Sequence, residues 1–154
     1  MTNNDVIRSV RYILNISDQK LAEIFKLSDW VVPVADIKDY LLDEEDLHYL
    51  RCDDETMAYF LDGLIYFKRG KDDSKPKIPF ELPMTNNNIL KKLRVAFALK
   101  EDEMHEIFEK AGFKMGRAEL TAIQRKKDQP NYRECGDQVV RYFLKGLTLK
   151  LRKP

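Results

Sequence analysis

NYRECGDQVVRYFLKGL, Asn131 to Leu147, has a counterpart earlier in the chain: HYLRCDDETMAYFLDGL, His48 to Leu64. A single shift of 83 residues takes Tyr49 to Tyr132, Cys52 to Cys135, Asp54 to Asp137, Tyr59 to Tyr142, Phe60 to Phe143, Leu61 to Leu144, Gly63 to Gly146 and Leu64 to Leu147. Carried outward without gaps, residues 2–69 and 85–152 agree at 16 positions, which add Thr2, Asn3, Asn4, Arg11, Glu23, Ile24, Phe25 and Arg69 with their partners. The chain is therefore a duplication of one structural unit.

Each copy reads as four helices. Thr2, Asn3 and Asn4 offer side-chain oxygens to the free amides of a helix start, and Val6, Ile7, Val10, Ile13 and Leu14 follow at helical spacing. Thr85, Asn86 and Asn87 open the second copy before Ile89, Leu90, Leu93, Ala96 and Phe97. A second helix begins near Ser17 and Asp18 and buries Leu21, Ile24 and Phe25; its partner follows Glu101 and Asp102 with Met104, Ile107 and Phe108. Pro33 fits the first turn of a third helix carrying Val34, Ile37, Tyr40 and Leu41, and Gly112 and Gly116 mark the turn before Leu120 and Ile123.

The fourth helix starts at Asp53 or Asp54 in one copy and at Gly136 or Asp137 in the other. Its inner stripe is Met57, Phe60, Leu61 and Leu64, matched by Val140, Phe143, Leu144 and Leu147. Gly63 and Gly146 interrupt these stripes at about 1 kcal/mol each relative to alanine. The repeated cost suggests either a close backbone approach where the two fourth helices cross at the glycines, or glycines that merely ease packing within their own repeat. The expected fold is all-α, about eight helices in two four-helix repeats related by an approximate two-fold axis. Residues 1–70 form repeat one, 71–84 a Pro-rich linker and 85–154 repeat two, packed into one globular body. In the linker Ile78, Phe80 and Leu82 alternate, which leaves open a segment lying extended against the body in place of a free tether.

Composition narrows the setting. A chain of 154 residues, 44% hydrophobic and 34% charged, is long enough for a sizeable core. The start, MTNNDVIRSV, contains no apolar segment and no window spans a membrane, so the reading is cytoplasmic with no membrane partner. Cys52 and Cys135 are accordingly expected as reduced, half-buried thiols in preference to a disulfide. In residues 1–84, 11 Lys and Arg against 17 Asp and Glu leave −6; in residues 85–154, 16 against 9 leave +7. Near-neutrality thus conceals an acidic half and a basic half.

The run ELTAIQRKKDQPNYRECGDQVVRYFLKGL, Glu119 to Leu147, its echo through FLDGLIYFKRG at Phe60 to Gly70 and the paired TNN openings resemble the bacterial YehS-like family, a domain of unknown function. The resemblance covers essentially the whole chain. That family usually has Asn where this chain has Asp62 and a bulkier aromatic near Ile123, departures that leave the fold untouched. The resemblance implies an intracellular, all-helical bacterial protein of two repeats, and no reaction.

Enzyme signatures are few. The chain has no Gly-rich phosphate loop, GxSxG, HExxH or CxxC, and His48 and His105 fall at non-equivalent positions, so neither a metal nor a cofactor is expected. Tyr132, Arg133, Glu134, Cys135, Asp137 and Gln138, with Tyr49, Cys52 and Asp54 in repeat one, form a polar motif cluster. It reads as a tyrosine anchor, a buried thiol and a helix cap, since a nucleophilic cysteine needs a neighbouring base. The phrase Asp18–Leu41 is a weak helix-turn-helix match without the usual turn glycine.

Charge inverts at equivalent positions: Leu42, Asp43 and Glu44 of repeat one become Arg125, Lys126 and Lys127 of repeat two, and Arg117, Arg133 and Arg141 extend that basic set. Two functions follow. The favoured one is a non-enzymatic protein-interaction module that binds a protein partner or itself; the alternative is nucleic-acid binding through the basic face of repeat two.

Overall fold

The computed structural model describes residues 1–76 and 81–152, which divide into two compact units, Met1–Met84 and Thr85–Pro154. Among the described residues there are eight α-helices and no strand. Unit 1 holds α1 (Asn3–Leu14), α2 (Asp18–Leu27), α3 (Val34–Tyr40) and α4 (Asp54–Arg69); unit 2 holds α5 (Asn86–Ala96), α6 (Glu101–Lys110), α7 (Arg117–Gln124) and α8 (Asp137–Leu151). The helix order is the same in both copies.

The helix starts follow from their capping chemistry. Thr2 Oγ1 accepts from the Asp5 amide and the Asp5 carboxylate accepts from the Thr2 amide, closing a capping box; Thr85 accepts from Asn88 in the same way. Ser17 caps α2 through the Lys20 amide and Asp53 caps α4 through the Thr56 amide. At α6 the Glu103 carboxylate accepts from the Lys100 amide, and lysine has no acceptor to return the bond. Pro33 stands at the N-cap of α3, one residue ahead of the expected first turn, and Gly136, not Asp137, holds the N-cap of α8.

Each core is the face shared by the second and fourth helices. Phe25 and Phe60 meet at 5.4 Å in unit 1, Phe108 and Phe143 at 5.8 Å in unit 2, and all four rings are fully buried. Leu61, Leu64, Leu144 and Leu147 are buried beside them, as the paired stripes require. Trp30 stacks on Tyr59 at 4.3 Å and Phe113 on Tyr142 at 4.8 Å, closing the turn after the second helix against the fourth.

The two glycines resolve within their own units. A Cβ on Gly63 would strike the carbonyl of Ile24, and one on Gly146 the carbonyl of Ile107, so α4 lies directly on the backbone of α2 and α8 on that of α6. Of the linker alternation, Ile78 and Phe80 lie outside the described residues and Leu82 is half exposed. Met84 is buried in unit 1, its amide donating to Asp54 Oδ2 at 3.1 Å.

Candidate interaction surface

The loop between the third and fourth helices is held by a buried asparagine. Asn4 Nδ2 donates to the carbonyls of Tyr40 (3.0 Å) and Leu50 (2.8 Å), and its Oδ1 accepts from the Cys52 amide (2.9 Å). Asn87 repeats all three bonds, to Ile123 at 2.8 Å, Arg133 at 2.9 Å and Cys135 at 2.9 Å. Asn3 and Asn86 add a second strut, donating to the carbonyls of Cys52 and Cys135 and to the carboxylates of Asp54 and Asp137. The sequence reading assigned these asparagines to the helix cap. The threonines cap instead, and the amides reach across the unit, because only a side chain with both donors and an acceptor satisfies a carbonyl pair and an N–H together.

Cys52, Asp54, Cys135 and Asp137 of the motif cluster thus belong to this hydrogen-bonded frame. The Cys52 and Cys135 thiols are free, buried and donate to the carbonyls of Asp53 and Gly136. Burial pushes both up to about 12, helped by Asp53 and Asp54 at Cys52 and by Asp137 at Cys135, which is the reverse of nucleophile activation. Tyr49 and Tyr132 are half-buried beside them, and burial also raises the Tyr132 hydroxyl. Glu134 is exposed.

Held this way, the two loops share one backbone. The Asp46 amide donates to Asp43 and the Gln129 amide to Lys126, both at 2.9 Å; Tyr49 donates to Asp46 as Tyr132 does to Gln129; Leu50 donates to Asp39 as Arg133 does to Ala122. Arg8 Nη2 ties the start of one loop through the Leu42 carbonyl and Lys91 Nζ the other through that of Arg125. On this common frame unit 1 displays Asp43, Glu44, Glu45 and Asp46, beside an open groove of about 330 Å³ shared with Thr2, Asp5, Arg8 and Tyr49. Unit 2 displays Lys126, Lys127, Asp128 and Gln129.

The six basic candidates do not form one free patch. Arg117 pairs with Asp102 at 3.0 Å and Arg133 with Glu119 at 3.9 Å, while Arg125 is half-buried, its Nε enclosed without a partner. Lys126 and Lys127 project from the loop and Arg141 from α8. Two features escaped the sequence reading. Leu47, at the tip of the acidic loop, is 98% exposed. In unit 2 an open cleft of about 500 Å³ is lined by His105, Glu109, Gly112, Phe113, Lys114, Met115 and Gly116. An apolar residue inside an acidic run, and the change from Asp29–Pro33 (DWVVP) to Gly112–Gly116 (GFKMG), are the signals that mark them.

Fold and surface together define a duplicated all-α protein whose two units share a loop frame and differ in what it displays. The chain belongs to a family described as protein of unknown function (DUF1456), whose model matches residues 3–70 and again 86–153, one match per repeat. It is 43% identical over 150 residues to the uncharacterized protein YehS of Escherichia coli (strain K12), covering 97% of this chain and 96% of that one. No solved structure matches it. Among the described residues no helix is long and apolar enough to cross a membrane.

Proposed function

We propose that the protein is an interaction module that presents its two α3–α4-type loops to protein surfaces. The observation that carries this reading is the opposite charge of Asp43–Asp46 and Lys126–Lys127 on one hydrogen-bonded backbone. Such a frame is preorganised, so a partner need not supply the cost of ordering the loop, and opposite charges on one shape favour different or complementary surfaces. Arg117 and Arg133 are already engaged by carboxylates, which argues against a continuous phosphate-binding face.

Photocrosslinking residues placed at Glu44 and at Lys127 test this in cells of the source. The expected result is a discrete protein adduct at one or both positions, lost when the neighbouring loop charges are reversed. Duplex DNA and RNA are titrated in parallel at low salt. Steeply salt-dependent binding that Lys126→Glu with Lys127→Glu abolishes, without protein adducts, overturns the reading in favour of nucleic acid.

A further inference from the structure

Leu47 is the most exposed large apolar side chain among the described residues, and it is not on a loose segment. The Asp43–Asp46 and Asp46–Tyr49 backbone bonds bracket it, Asp46 Oδ1 accepts from the His48 amide at 2.9 Å, and Asn4 pins the loop behind. A leucine held out in water by a rigid, carboxylate-rich turn has the form of a binding knob: an apolar anchor with a charged rim. Its complement is an apolar recess with a cation at its edge.

Unit 2 carries such a recess. Phe113, fixed by its stack on Tyr142, and buried Met115 supply apolar surface; Gly112 and Gly116 keep the mouth open; Lys114 stands exposed beside them. Glu109 at the edge lies 3.4 Å from His105 Nδ1. The cleft volume of about 500 Å³ exceeds that of a leucine side chain several-fold, so neighbouring loop atoms enter as well. Unit 1 at the same positions has Asp29, Trp30, Val31, Val32 and Pro33, bulkier at three of the five, with Val31 in place of the Lys114 cation and the Asp29 carboxylate in place of Gly112. An acidic knob therefore discriminates between the units, and the −6 and +7 charges of the two halves add attraction in the same sense.

We infer that the partner is a second copy of this chain, with Leu47 of one copy seated in the Phe113–Met115 cleft of the next and the carboxylates of its loop against Lys114. The inference rests on the interaction-module reading and names its partner. Because knob and cleft are different surfaces, the contact is heterologous and each added copy leaves one of each free until a ring closes. A single knob buries little area, so the association is weak and transient.

Sedimentation velocity of the full chain over a wide concentration range, at low and high salt, tests it. Wild type is expected to self-associate in a salt-sensitive way. Leu47→Asp, at a position that contacts almost nothing, is expected to weaken association at least about tenfold. So is Lys114→Val with Gly116→Pro, which copies Val31 and Pro33. A Cβ at Gly116 meets only the Glu119 side chain, at 3.7 Å, so this variant is expected to fold. Mixing the two variants is decisive, because one keeps an intact cleft and the other an intact knob: a one-to-one complex that stops at the dimer is expected. A wild type that stays monomeric, self-association indifferent to Leu47→Asp, or a mixture that stays monomeric each overturns the inference. If wild type is monomeric while the crosslinker at Glu44 captures another protein, the partner is wrong and the module reading stands; if both fail, both fall.

Discussion

Asn4 Oδ1 accepts the Cys52 amide hydrogen at 2.9 Å across 48 residues of chain, and the copy of this bond from Cys135 to Asn87 has the same length. It ties the start of the first helix to the start of the last in each unit. Asn4 is 1% exposed and Asn87 4%, so both amides are shielded from bulk water.

Asn4→Ala leaves the buried Tyr40 carbonyl and Cys52 N–H, and the partly buried Leu50 carbonyl, without their side-chain partner. At about 1 to 3 kcal/mol for an unsatisfied group, a net loss of roughly 2 to 5 kcal/mol is expected. Asn87→Ala should behave alike. Urea unfolding of each variant measures this, and hydrogen exchange should show the loss of protection centred on Cys52 or Cys135.

Gly63→Ala and Gly146→Ala should destabilise although alanine is the better helix former by about 1 kcal/mol. The new methyl meets the Ile24 or Ile107 carbonyl, which is backbone and cannot rotate away. Separating the helices is expected to cost about 1 to 3 kcal/mol net, read from thermal melts.

Ala98 sits at φ 52°, where its counterpart Asn15 sits at φ 53°. Both end a helix with the same pair of bonds, Asn15 to Tyr12 and Ile16 to Arg11, Ala98 to Val95 and Leu99 to Arg94. Asparagine tolerates the left-handed region better than alanine, so Ala98→Asn should raise stability by about 0.5 to 1 kcal/mol. Asn15→Ala should lower it by a similar amount in the same denaturation assay.

The thiols make stability fall in alkali. Their folded values, about 12, lie above the ordinary 9.0, so the protonated form is favoured in the folded state. Their contribution is complete below about pH 9 and is lost as pH rises from there through 12. Tyr40, raised from 10.0 to about 12 chiefly by burial, acts in the same direction. Urea midpoints should decline over that window, and Cys52→Ser with Cys135→Ser should flatten the slope. At pH 8 a thiol reagent should label neither cysteine until the protein unfolds.

Much of the architecture was already legible in the residues. The 83-residue offset, the paired stripes ending in Phe60–Leu64 and Phe143–Leu147, and the Thr and Ser starts determine helix number, order and core, because helical periodicity and capping are local properties. Charge inversion at Asp43–Glu44 and Lys126–Lys127 was visible for the same reason: equivalent positions in a duplication can be read against each other. Tertiary structure decided what local pattern leaves open. Asn4 beside Thr2 looks like one more cap, and only the return of the Tyr40–Cys52 segment makes it a clamp. Gly63 looks equally suited to a crossing of the fourth helices until the Ile24 carbonyl is found against it. Arg117 and Arg133 read as extensions of the basic set, and only folding sets Asp102 and Glu119 beside them. Long-range hydrogen bonds, backbone contacts and ion pairs depend on which segments fold back on each other, and spacing along the chain carries no record of that.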